Sequence, residues 1–137
     1  MKIVIEGEPQ AKQRPRFKRV GAHVQTYTPT ETLAYEMKLK KAWQKEKYEM
    51  FNDIPLSVHI MAYFPIPESY TKLKKAQAKE NIIKPTTRKD VDNIAKIVLD
   101  GLNGVAYADD KFVTDLVVRK RYSENPRVEI EIKEVKE

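Results

Sequence analysis

A chain of 137 residues is long enough for one real core and reads as a single domain over 1–137. With 41% hydrophobic and 34% charged residues it is not a disordered chain, and its longest apolar run is too short to cross a bilayer. Zero cysteines exclude disulfides, thiolate catalysis and zinc-thiolate sites, and with no leader pattern at the N-terminus the expectation is a cytoplasmic protein with no membrane partner.

The 26 basic and 20 acidic side chains leave a net charge of +6, and the surplus is localised. Residues 10–20 carry Lys12, Arg14, Arg16, Lys18 and Arg19 with no acid, and residues 72–89 carry Lys72, Lys74, Lys75, Lys79, Lys84, Arg88 and Lys89 against Glu80 alone. Any single lysine is best read as solvated surface. Two segregated runs, without a strongly amphipathic membrane helix, are the footprint of a face that binds nucleic acid.

In chain order, KIVIEG (2–7) reads as a strand, and RFKRVGAHVQTY (16–27) as two strand ends around a Gly21-Ala22 turn. TPTE then predicts a helix start with Thr28 as N-cap, Pro29 at the first helical position and Glu31 closing a capping box. This helix is expected to run to about Met50, with Tyr35, Leu39, Ala42 and Trp43 as its buried stripe. LSVHIMAYF (56–64) alternates, placing Leu56, Val58, Ile60, Ala62 and Phe64 on one face and His59 on the other. A short basic helix is expected within 69–80. A second main helix follows at 91–102, its core stripe Val91, Ile94, Val98 and Leu102, with a left-handed stop at Asn103-Gly104. Two strands, 112–122 and 127–135, flank SENP and close the chain. The expected class is α+β: a mixed, mostly antiparallel sheet with two main helices packed on it.

Four glycines cannot build a phosphate-cradling loop, so no nucleotide cofactor is expected. Ser57, Ser69 and Ser123 lack a nucleophile-elbow context, and His23 and His59 have ordinary strand readings. What remains is carboxylate chemistry in RKDVDNIAKIVLDGLNGVAYADD (88–110). Asp90 and Asp92 straddle Val91 where an extended segment enters a helix, so both can aim at one point. From Asp92 the helical period places Lys96 and Asp100 on one polar edge. Past Gly104 the chain turns back, and a turn of that length can return a carboxylate, Asp109 or Asp110, to the neighbourhood of the helix.

Oxygen ligands with no histidine or cysteine select Mg²⁺, with Mn²⁺ as a substitute, over zinc. Such an ion lowers the pKa of bound water and neutralises charge on a phosphoryl transition state, and Lys96 could stabilise a non-bridging or leaving oxygen. The competing reading is structural. A D-x-D occurs by chance, an acid at a helix start is favoured by capping and dipole, and Asp100 can pair with Lys96 for about 0.2–0.5 kcal/mol. For each acid alone the structural reading leads. For Asp90, Asp92 and Asp110 jointly, in a basic chain, the metal reading leads, while Asp100 and Asp109 stay ambiguous.

The run KDVDNIAKIVLDGLNGVAYADDKFV resembles the signature of the RusA family of Holliday junction resolvases: D-x-D-N-[LI]-x-K, an L-D-x-L-N-G-like helix end, and D-D before a strand. GEPQAKQRPRF is similar to the family's G-x-P-x-x-K-x-R-P-R opening. The resemblance implies an α+β homodimer that cuts four-way DNA junctions with Mg²⁺. It carries the essential acids to Asp90, Asp92 and Asp110, as metal ligands, and the catalytic lysine to Lys96. Lys89 stands where many members have proline, and Phe112 replaces a common glutamine. On this reading Lys12, Arg14, Arg16, Lys18, Arg88 and Lys89 are the candidate DNA contacts. The alternative is a non-catalytic, structure-specific DNA-binding protein whose aspartates only cap and solubilise. A Mn²⁺-dependent sugar transferase would need a longer chain.

Overall fold

The computed structural model describes residues 1–87 and 89–136. It is an α+β fold built on a four-stranded sheet, order β1-β6-β4-β5, from β1 (Lys2–Glu6), β4 (Leu56–Pro65), β5 (Val113–Ser123) and β6 (Arg127–Glu134). β6 runs antiparallel to β1 and β4, while β4 and β5 are parallel. A parallel pair needs a crossover, supplied here by α2 (Lys72–Lys79) and α3 (Val91–Leu102). α1 (Thr30–Lys45) packs on α3 and β1. β2 (Arg16–Val20) and β3 (His23–Tyr27) form a separate two-stranded ribbon.

Alternation decides the sheet. Leu56, Val58, Ile60, Ala62 and Phe64 of β4 and Val128, Ile130 and Ile132 of β6 point into the helix-covered core, and His59 faces out. The other face carries Lys2 and Arg127, both paired with Glu129, and the Arg127 guanidinium lies 4.0 Å from the Tyr63 ring. The two closing strands are not neighbours, because the wholly apolar inward side of β4 takes the position between them. The SENP segment therefore spans two strand spacings, about 10 Å.

The first helix departs from expectation at both ends. Pro29, not Thr28, is the N-cap: its ψ of 144° is extended, its carbonyl accepts from the N–H groups of Thr32 and Leu33, and no side-chain cap forms. The helix stops at Lys45, and Lys47 turns left-handed at φ 58° just beyond. Its fully buried stripe is Thr32, Tyr35, Leu39 and Trp43, with Ala42 only half-buried. α2 starts at Lys72, where the Thr71 hydroxyl accepts from the Lys74 N–H at 3.2 Å.

α3 occupies the predicted residues and buries Ile94, Ala95, Ile97, Val98, Gly101 and Leu102. Val91 is 46% exposed instead, because it stands in the first turn, ahead of the contact with α1. Gly101 marks that contact: a Cβ there would lie 2.5 Å from Leu39 Cδ1 and 3.4 Å from Glu36 Cα. The Lys40 ammonium donates to the carbonyls of Gly101 (2.6 Å) and Asn103 (3.3 Å), closing the negative end of α3. Gly104, at φ 83°, makes the left-handed exit. No helix among the described residues is long and apolar enough to cross a membrane.

Candidate active site on the polar edge of α3

Asp90 is the N-cap of α3, with φ −67° and ψ 148°, yet its carboxylate accepts no capping hydrogen bond. Its main-chain carbonyl, rather than its side chain, accepts from the N–H groups of Asn93 and Ile94. The carboxylate lies in an open cleft of about 330 Å³ lined by Gln10, Lys12, Gln13, Lys89 and Asn93. Asp92 follows in the first turn and is exposed. The cleft exists because the segment after β1 folds onto the helix start, where the Lys12 N–H donates to the Asn93 carbonyl at 2.9 Å.

Two turns further along, the acids are engaged. The Lys12 ammonium donates to Glu36 Oε2 at 2.7 Å and lies 3.1 Å from Asp100 Oδ2. Burial works against that ammonium, but the hydrogen bonds and charges of Glu36 and Asp100 outweigh it and hold its pKa above the ordinary lysine value. Lys96 Nζ is 3.9 Å from the same Asp100 oxygen, the i,i+4 pairing that the sequence suggested. Asp109 caps the short 3-10 turn Asp110–Phe112, its Oδ1 accepting from the Lys111 N–H at 2.8 Å.

Asp110 is half-buried, and its pKa is raised. Loss of solvent contributes most, followed by the charge and hydrogen bond of Asp109 and the charge of Asp100, with Lys96 opposing them. Beneath these acids the Tyr107 hydroxyl donates to the Leu99 carbonyl at 2.7 Å. Burial first, and then the charges of Asp110, Asp100 and Asp109, push its pKa well up.

Asp110, Asp100, Asp109 and Lys96 thus share one neighbourhood, whereas Asp90 and Asp92 stand at the other end of the helix. Eight residues of helix separate Asp92 from Asp100 by about 12 Å of rise. Carboxylate oxygens suit a hard divalent cation, so the donor chemistry fits Mg²⁺ or Mn²⁺. Among the described residues, however, no three His, Cys, Asp or Glu side chains are gathered closely enough to hold one ion.

Of the six candidate DNA contacts, Arg14, Arg16 and Lys18 are exposed and form no ion pair among the described residues. Lys12 is committed to Glu36 and Asp100, with only 18% of its side chain exposed. Lys89, left-handed at φ 74°, reaches Glu8 Oε1 at 3.2 Å. Arg88 lies outside the described residues. Sequence reasoning missed Glu36, which gave no local signal, since its partner Lys12 is 24 residues away.

A basic α+β domain whose carboxylates at an exposed helix start have no partner among the described residues has the makings of a phosphodiester-cleaving enzyme. Comparison with known proteins gives that class a family. The family model for endodeoxyribonuclease RusA matches residues 6–133. The chain belongs to the RusA endodeoxyribonuclease family, a family of DNA nucleases. Over 98% of its length it is 37% identical to the uncharacterized protein YqaN of Bacillus subtilis (strain 168), of which it covers 96%. Over 98% of its length it is also 29% identical to the crossover junction endodeoxyribonuclease rusA of Lactococcus phage r1t, covering all of that protein.

Proposed function

We propose that this chain is a Mg²⁺-dependent endonuclease that resolves four-way DNA junctions by paired nicks, working as a homodimer in recombination and repair. The observation that carries this reading is the Asp90 carboxylate: it occupies the N-cap without accepting a capping hydrogen bond, has no ion-pair partner among the described residues, and opens into a cleft. Asp90, Asp92 and Asp110 would hold the ion, with Mn²⁺ able to replace Mg²⁺. When bound, the ion supplies a water of lowered pKa and neutralises charge on the phosphoryl group. Like charges hold such carboxylates apart until a cation reverses the sign of their interaction.

The chain's own residues do the rest. Lys96, exposed on the same edge between Asp92 and Asp100, would steady a non-bridging or leaving oxygen. Arg14, Arg16 and Lys18 would carry the duplex phosphates, assisted by Lys89. Two nicks related by symmetry call for two identical sites, which a twofold dimer provides.

A second reading, a structure-specific DNA-binding protein without catalysis, draws on the lack of a three-carboxylate group among the described residues. End-labelled four-way junctions with duplex and flap controls, run with Mg²⁺, with EDTA and with Asp92→Asn protein, separate the two. The resolvase reading expects paired, metal-dependent nicks on the junction that Asp92→Asn abolishes while binding persists or tightens. Tight binding with no cleavage in Mg²⁺ or Mn²⁺ would leave the binding protein.

A further inference from the structure

We propose that the β2–β3 ribbon is a DNA-inserting arm, and that Phe17 stacks on a base at the open centre of the junction and so determines selectivity for branched DNA. The inference rests on the junction reading above and adds the residue that would discriminate branched from linear substrate.

All ten ribbon residues are exposed, so the ribbon is not kept for its contribution to the core. An isolated two-stranded ribbon is marginally stable in water and is stabilised by a partner that covers it. From Pro9 through Thr30 there is no acidic residue, and Arg14, Arg16, Lys18 and Arg19 fall within that stretch. None of these four forms an ion pair among the described residues. Such a segment complements a polyphosphate and repels a cationic partner.

The register separates two kinds of chemistry. Arg16 pairs with Tyr27, Lys18 with Gln25 and Val20 with His23, so one face sets two cations among Tyr27, Gln25 and His23, with Val20 beside the turn. Phe17 pairs with Thr26 and Arg19 with Val24 on the other face. There Phe17 is 72% and Val24 65% exposed, an apolar pair that the rest of the fold leaves uncovered. A two-stranded ribbon fits the major groove, and an apolar side chain presented beside cations is what unstacks and caps a base step.

Position supports the same occupant. Gln13 lines the cleft of Asp90 and stands four residues before Phe17. Four extended residues span at most about 14 Å, or roughly four base steps of duplex. A base against Phe17 and a phosphate near Asp90 can therefore belong to the same few nucleotides at a branch point.

The test uses full-length wild type, Phe17→Ala and Phe17→Trp in EDTA. Each binds a four-way junction carrying 2-aminopurine at the branch point, with linear duplex as competitor. Wild type and Phe17→Trp are expected to change the branch-point fluorescence and prefer the junction. Phe17→Ala should lose that change and roughly ten- to hundredfold of the preference, keeping its duplex affinity and salt dependence. Wild-type behaviour from Phe17→Ala would overturn the proposal while leaving the junction reading intact. No junction preference in wild type would sink both. If Phe17→Ala instead converts a dimer to a monomer in sedimentation, a second copy covers this face and the DNA assignment is wrong.

Discussion

At the start of α3, Asp90 and Asp92 have carboxylates with no hydrogen-bond or ion-pair partner among the described residues, although Asp90 occupies the N-cap. Around the far end of the helix, Asp100 is held by Lys12 and Lys96, and Asp109 caps the following turn. All four acids lie in one motif and look alike in sequence. The difference separates acids that the fold employs from acids that it leaves free, and an acid retained without structural employment is the better candidate for chemistry.

Substitution should reproduce that division. Asp90→Asn and Asp92→Asn are each expected to reduce junction cleavage by at least about 100-fold, with thermal stability nearly unchanged. Asp109→Ala, which removes the oxygen that accepts from the Lys111 N–H, should keep cleavage within roughly tenfold and lower stability by about 0.5–2 kcal/mol through the lost cap. Cleavage rates and urea midpoints on the same preparations check both halves. Equal cleavage losses at Asp90 and Asp109 would erase the distinction between the two ends.

Lys12→Met sharpens it from the cationic side. Removing the ammonium leaves Glu36 and Asp100 without their shared partner, and hydrogen bonds of this charged kind contribute about 2 kcal/mol. The raised Lys12 pKa sets the pH window. A lysine whose folded pKa exceeds its unfolded value contributes in full below the unfolded pKa, and the contribution fades as pH rises through the folded one. The stability gap between wild type and Lys12→Met should therefore be constant near neutrality and shrink only in alkaline solution, above about pH 10. Urea midpoints at pH 7, 9 and 11 measure it.

Gly101→Ala tests the helix contact that brings Glu36 to this cluster. Alanine gains about 1 kcal/mol of helix propensity. Its Cβ would meet Leu39 Cδ1 at 2.5 Å and Cβ at 3.2 Å, an overpacking that costs about 1–3 kcal/mol. Net destabilisation of about 1 kcal/mol is expected in urea, and a stabilised variant would mean that Leu39 yields freely.

What was legible in the sequence follows from how local each signal is. α3 announced itself through Ile94, Val98 and Leu102 at helical spacing and the Asn103-Gly104 stop, and β4 through strict alternation. Pro29 fixes φ but not ψ, so it suits either the N-cap or the first helical position, and only the structure's ψ of 144° selects the cap. The placement of β4 between β5 and β6 is a non-local choice that neither closing strand encodes by itself. Lys12 reads locally as one cation of a basic run. Its partners Glu36 and Asp100 come from two helices, and only tertiary packing reveals that the charge is already engaged.

Asp110 belongs wholly to neither class, and the smallest effect on stability is expected there. It carries no capping or ion-pair role among the described residues, yet lost solvent and the charges of Asp109 and Asp100 raise its pKa. For an acid raised in the folded state, ionisation opposes folding. The penalty is present above the folded pKa and disappears as pH falls through it. Asp110→Asn should then raise the melting temperature in EDTA by about 1–3 °C at pH 7 and leave it unchanged near pH 3. Adding Mg²⁺ should reverse the order, because a cation that binds the folded state stabilises wild type by mass action and the variant less. An Asp110→Asn protein that melts below wild type in EDTA at pH 7 would place Asp110 with Asp100 and Asp109, among the acids that the fold employs.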